Sequence, residues 1–232
     1  LYQKIDFRQC VSHVGPPQTQ GNIVPSARGF AGDAVTSGNA AALAQKIEAL
    51  LCPSDPNNVL LGTTGVYAIK DGSGVAAAKT NYDFSAYRSD YWTFNDWNSL
   101  NPSVRRMFGE NSDSSTASVT DGTSNTAAVC ETTRWVANGS PPAWGFRGWV
   151  MTGTDLGAGI NTWFVPATYT WVSPQGTVLG RLRDWGMVGS LHPGGANVAL
   201  GDGAVRFLAE TTDLVILTAI ATMAGQESVS IP

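Results

Sequence analysis

His192 has Ser190 two residues before it and Asp202 ten residues after it, the residue types of a base, a nucleophile and an orienting carboxylate. The chemistry such a set would perform is hydrolysis at His192. Spacing argues against it. With residues 197–201 as a strand rising ~3.3 Å per residue, His192 and Asp202 stand some ~20–30 Å apart. Only a sharp bend at Pro193-Gly194-Gly195 would close that distance. The plainer reading is favoured, in which His192 hydrogen-bonds loop backbone and Asp202 builds a turn. The chain holds no Gly-x-Ser-x-Gly elbow, His-Glu-x-x-His pair, P-loop or dinucleotide fingerprint. A protein that is not an enzyme, with no catalytic residues, is expected.

Asp121, Asn125 and Glu131, with Ser124 between them, supply the hard oxygen ligands that suit calcium. Asp121-Gly122 is equally well explained as a turn, with Ser and Asn satisfying its backbone. Tryptophans at 135, 144, 149, 163, 171 and 185, with Tyr169, are dense. Exposed, they would stack against a sugar. Trp144, Trp149 and Trp163 are the ligand-binding candidates, and Trp144-Gly145-Phe146-Arg147-Gly148-Trp149 is the best placed, since glycines leave rings uncovered. Large aromatics more often pack inside, which sets the bland reading against the glycan one.

Three cysteines (Cys10, Cys52, Cys130) include no Cys-x-x-Cys pair and permit one internal disulfide in three pairings. A Cys52–Cys130 bond in an oxidising compartment, worth ~2–4 kcal/mol, and two free thiols stand as equal alternatives. His13 and His192 are too few and too distant for a histidine-rich metal centre.

The elements that must position these residues follow from composition and pattern. The 232 residues carry a formal charge of −4 with no basic stripe, which excludes a nucleic-acid partner on electrostatic grounds. Hydrophobic content of 43% with eight Trp is too apolar for a disordered chain. The longest apolar run, about 214–224, falls short of the ~18–20 residues of a membrane span. No membrane contact is therefore expected of the chain as given. It opens on Leu1 with no apolar leader, and a processed or shortened chain is expected.

Asn39 can cap a helix over about 39–51, with Leu43, Ile47 and Leu50 as its stripe, before Cys52-Pro53-Ser54-Asp55-Pro56 stops it. Short β-prone pieces then alternate with turn residues from 59 to 195, at Gly65–Ile69, Ser118–Thr120, Thr126–Glu131, Trp144–Met151, Thr162–Val165 and Tyr169–Val172. Asp202-Gly203 between two apolar runs predicts a hairpin over 197–208. A two-residue turn would put Val198, Leu200, Val205 and Phe207 on one core face and point Arg206 away. Thr211 or Thr212 would cap a helix over 213–224, closed by Gly225 and buried on more than one side. The class is α+β, an antiparallel sheet with long decorated loops, in one domain spanning 1–232.

His192, nine residues, then Asp202-Gly203 resembles the C-terminal signature of the prepilin-like family of planctomycete-type bacteria, a domain of unknown function. Three further stretches are similar to that family: Cys52-Pro53-Ser54-Asp55-Pro56, Thr80-Asn81-Tyr82, and Thr120-Asp121-Gly122-Thr123-Ser124-Asn125-Thr126 followed by Glu131. The motif residues are thus Cys52, Asp55, Asn81, His192, Asp202 and Gly203. The resemblance implies a pilin- or pseudopilin-like head and a long apolar N-terminal helix, which is absent from this chain. Cys10, Cys130 and the Trp-rich insert at about 135–185 depart from the family pattern.

The function expected is a structural or assembly subunit of a pilin-like apparatus in the cell envelope, periplasmic or extracellular. Its partners would be other pilin-like subunits or envelope proteins. The alternatives are a soluble domain binding a glycan or small solute through the insert, and a hydrolase at His192. Calcium is the one cofactor with a candidate site. The structural reading predicts an apolar surface where the missing helix would lie.

Overall fold

A computed structural model describes residues 1–9, 11, 34–88, 97–109, 112–146, 150 and 153–227. Cys10, His13 and Trp149 lie outside them. In chain order the regular elements are α1 (Ala40–Leu43), β1 (Tyr82–Phe84), β2 (Ala127–Glu131), β3 (Val136–Asn138) and β4 (Asp155–Ile160). There follow β5 (Phe164–Val165), β6 (Gly176–Thr177), β7 (Leu182–Asp184), β8 (Met187–Val188), β9 (Gly195–Leu200), β10 (Val205–Ala209) and α2 (Leu214–Ala221). An antiparallel sheet of order β1-β2-β9-β10 is the centre of the fold, and the class is α+β. Three two-stranded ribbons decorate it: β3-β7 and β4-β8, both parallel, and β5-β6, antiparallel. Among the described residues no helix is long and apolar enough to cross a membrane.

One face of the sheet is core. Cys130, Val198, Leu200 and Leu208 pack there with Leu156 and Ile160 of β4 and Leu217 and Ile220 of α2. A second cluster gathers Leu43, Leu61, Ile69, Phe146 and Val150. Asp213, not Thr211 or Thr212, caps α2, its Oδ1 accepting from the Val215 amide at 2.7 Å. The helix stops at Ala221, short of the expected 224. Only part of its surface is buried, since Leu214 and Val215 are 54% and 73% exposed.

The helix expected over 39–51 is broken. Only Ala40–Leu43 is α-helical, with a 3-10 turn at Glu48–Leu50. The carbonyl of Leu43, which a continuous helix would use internally, instead accepts from the amide of Ala78, and that of Leu50 accepts from Asn81. Long-range pairing has outcompeted a modest local propensity. Of the short strands expected between 59 and 195, Thr126–Glu131 and Thr162–Val165 contain β2 and β5. The stretches 65–69 and 169–172 are turns, bends and irregular backbone, 118–120 runs on from the end of a 3-10 turn at Thr116–Ser118, and 144–146 forms no strand.

The hairpin forms, but one residue out of the expected register. Val205 pairs with Ala199, Arg206 with Val198 and Phe207 with Asn197. Gly203 sits at φ +87°, and its amide bonds the Leu200 carbonyl at 2.9 Å. The connection is therefore a three-residue loop with glycine in the left-handed region, instead of the two-residue turn. A slip of one residue inverts a strand. Leu208 is fully buried, whereas Val205 and Phe207 are 62% and 50% exposed on the opposite, outer face.

Candidate functional site

Four of the six motif residues, Cys52, Asp55, Asn81 and His192, converge from distant parts of the chain on the outer face of the sheet, at the β1–β2–β9 junction. Asn81, just before β1, ties the loop after the 3-10 turn to the end of β2. Its Oδ1 accepts from the Cys52 amide at 3.0 Å, and its Nδ2 donates to Asp55 Oδ2 at 2.8 Å and to the Thr132 carbonyl at 2.9 Å. Every hydrogen-bonding position of that amide group facing inward is used, as its 2% exposure requires.

Asp55 is 5% exposed. Its Oδ2 also accepts from the Arg134 amide at 2.8 Å, while Oδ1 takes the Asn57 amide and side chain at 3.0 and 2.7 Å. The Arg134 Nε lies 3.7 Å from Oδ2, and its Nη2 donates to the Asp55 carbonyl. Burial alone would raise this carboxyl's pKa. The amides of Arg134 and Asn57 and the side chains of Asn81 and Asn57 outweigh burial and hold it below the usual carboxylate value. Lys79, donating to the Arg134 carbonyl, is lowered by desolvation and by Arg134.

Glu131, 3% exposed at the end of β2, accepts from the Asn197 amide at 2.7 Å and from its Nδ2 at 3.2 Å, fastening β2 to β9. His192 stands above it. Its Nε2 lies 3.6 Å from Glu131 Oε1 and 3.8 Å from Cys52 Sγ, and its amide donates to Ser190 Oγ at 3.1 Å. A small cleft, with room for roughly one water, is walled by Cys52, Asp55, Asn81, Glu131, Thr132, Thr133, Ser190 and Leu191.

This arrangement is a clamp. A nucleophile–base–carboxylate relay uses both ring nitrogens of the histidine, one on each side. Here the thiol and the carboxylate approach the same nitrogen, and the carboxylate is already committed to Asn197. What the cluster does physically is fix the 50–55 loop and the 189–192 loop onto three strands.

Asp202 takes no part. Its Oδ1 accepts from the Ala204 amide at 2.9 Å in the hairpin turn, at the far end of β9 from His192, about 20 Å of strand away. Gly203 lies in the same turn. Asp121, Asn125 and Glu131 do not share partners. Both Asp121 carboxylate oxygens accept amides, of Gly225 at 2.8 Å and Gln226 at 2.9 Å, and Asn125 Nδ2 donates to the Asp121 carbonyl at 3.0 Å. Among the described residues no group of three His, Cys, Asp or Glu side chains could hold a metal ion. Cys52 and Cys130 are separate free thiols, the second of the two alternatives. They lie on opposite faces of the sheet, and burial raises the Cys130 thiol to about 12.

Of the ligand candidates, Trp144 is half-buried against the second core cluster, with its Nε1 donating to the Gln45 carbonyl at 3.0 Å. Trp163 is half-buried. Among the described residues, the exposed indoles are instead Trp171 at 67% and Trp135 at 40%. Sequence reasoning also passed over Arg134, Thr132 and Asn197, which complete the clamp.

No curated protein and no solved structure matches the chain. A family model does match, over residues 1–215, and its description reads "Protein of unknown function (DUF1559)". With nearly the whole chain inside that match, this protein belongs to the DUF1559 family.

Proposed function

We propose that this chain is the head of a pilin-like structural subunit, non-enzymatic, whose outer sheet face is covered by an apolar helix contributed from upstream in the same polypeptide. The observation that carries the reading is the bare part of that face. Register places Phe84, Val129, Ala199 and Val205 side by side across all four strands, with Phe207 in the neighbouring row. Phe84 is 46% exposed, Val205 and Phe207 half or more, and Val129 and Ala199 half-buried. A row of apolar side chains crossing an entire sheet marks an interaction surface. Leaving Val205 and Phe207 this exposed forgoes roughly half of the ~1.5–3 kcal/mol that full burial of each supplies. The clamp occupies one end of the same face and leaves this row open, so an apolar helix laid across the strands would have a flat, prepared seat. Envelope or extracellular placement, and assembly with like subunits or envelope proteins, follow from this reading.

The test is the intact mass and N-terminal sequence of the protein from its own cells, with fractionation. A native chain longer by an apolar stretch of about 20 or more residues, found in the envelope fraction, is the expected result. A native chain starting at Leu1 and found in the cytosol overturns it.

A further inference from the structure

We propose that the β5–β6 hairpin carries a binding platform for a neutral carbohydrate, with Trp171 as the stacking surface. This inference stands apart from the pilin-like reading and uses a different part of the molecule. Trp171 is 67% exposed, yet its ring is held on two sides. Tyr169 stacks beneath it with centroids 5.0 Å apart and planes 22° from parallel. Its Nε1 donates to Asn138 Oδ1 at 3.1 Å. That contact is the end of a chain of bonds running to the buried Asp184. Asn138 Nδ2 donates to Asp184 Oδ1 at 2.9 Å, the Tyr169 hydroxyl donates to Oδ2 at 3.2 Å, and Arg88 Nη2 pairs with Oδ2 at 2.6 Å. Arg88 in turn lies over the Trp185 ring at 4.4 Å.

A tryptophan kept for core packing would be covered. This one is immobilised from behind while most of its surface meets water, which pre-organises a flat aromatic face at no ordering cost on binding. The C–H face of a pyranose is the complementary surface, since an aromatic face attracts weakly polarised hydrogens. The electrostatics select the same class. No Asp, Glu, Lys or Arg occurs between Asp155 and Arg181. Of the nearby charges, Asp184 and Arg88 pair with each other, Arg181 Nη2 donates to the Pro174 carbonyl at 2.6 Å, and Arg183 lies near Tyr169. The rim is made of exposed Thr170, Ser173 and Gln175, neutral groups that match sugar hydroxyls and offer nothing to an ionic partner.

The experiment is native affinity electrophoresis of the whole chain through gels containing hydroxyethyl cellulose, laminarin, galactomannan or xylan. Flotation with phosphatidylcholine vesicles is run in parallel, because Phe164 and Leu179 of the same region are exposed and apolar. Retardation by at least one polysaccharide is expected. Trp171→Ala should weaken it about tenfold, the equivalent of one lost stacking contact, with an unchanged melting temperature. Asn138→Ala, which frees the indole without removing it, should weaken it by a smaller factor. No retardation in any gel overturns the proposal, as does retardation that survives Trp171→Ala. Vesicle binding lost in Trp171→Ala without polysaccharide binding also overturns it and reassigns the hairpin to an apolar interface. None of these outcomes bears on the open face of the sheet.

Discussion

Single side chains in this protein are committed to backbone, and their substitution has readable costs. Asn81 joins three segments through three buried bonds. Asn81→Ala leaves the Cys52 amide and the Thr132 carbonyl without partners, at ~1–3 kcal/mol for each unsatisfied group. A loss of about 3 kcal/mol or more in urea unfolding is expected, and a loss below about 1 kcal/mol would show that the clamp is decorative. Asp83 is the other telling residue. It faces the core side, accepts the Phe84 and Gly153 amides at 2.8 Å each, and burial raises its pKa to about 7. Its folded value lies above the unfolded 3.8, so its contribution is complete below the unfolded value and is lost as pH rises through 7. The melting temperature of the wild type should therefore fall as pH rises from about 4 to about 7 and level off above, and Asp83→Asn should flatten that slope. Parallel curves would remove Asp83 as the cause.

At the scale of elements, the β9–β10 hairpin decides which side chains reach the core. The type of connection was legible in Asp202-Gly203, but the loop length was not. Two- and three-residue loops both accept that pair, and they differ by one residue in register and hence by a whole face. The observed register makes a sharp prediction. Leu208→Ala should cost ~2–5 kcal/mol as a core truncation, while Val205→Ser and Phe207→Ser should stay within about 1 kcal/mol, as exposed substitutions do. The opposite ranking would restore the two-residue turn. Gly203→Ala meets no atoms within 4 Å, so its cost of about 1 kcal/mol would be conformational alone. The expected 39–51 helix failed for a related reason. Its apolar stripe was real, but carbonyls at Leu43 and Leu50 found partners in the 78–81 segment that no local pattern reveals.

Across the whole molecule, two devices close the fold. The clamp fixes the first third of the chain to the sheet, and Asp121 receives the amides just beyond α2. With both carboxylate oxygens of Asp121 accepting backbone, chelation of divalent cations should leave the melting temperature unchanged. A drop of several degrees would mean that a cation competes for that carboxylate. Asp121→Ala should instead lower the melting temperature by a few degrees, consistent with ~0.5–1.5 kcal/mol for each of two partly solvent-accessible hydrogen bonds lost.

What the sequence by itself determined is what depends on neighbours in the chain or on composition: the α+β class, the hairpin, the terminal helix, and the family that its match over residues 1–215 shows. Only the tertiary structure decided where Cys52, Asp55, Asn81, Glu131 and His192 meet, which of Asp202 and Glu131 faces His192, that Cys52 and Cys130 lie on opposite faces, and that Trp171 is exposed while Trp144 and Trp163 are half-buried. Each of these depends on strand register and on long-range hydrogen bonds. A strand's pleat turns a one-residue difference into the opposite side of the sheet, and no local spacing records which distant carbonyl an amide will find.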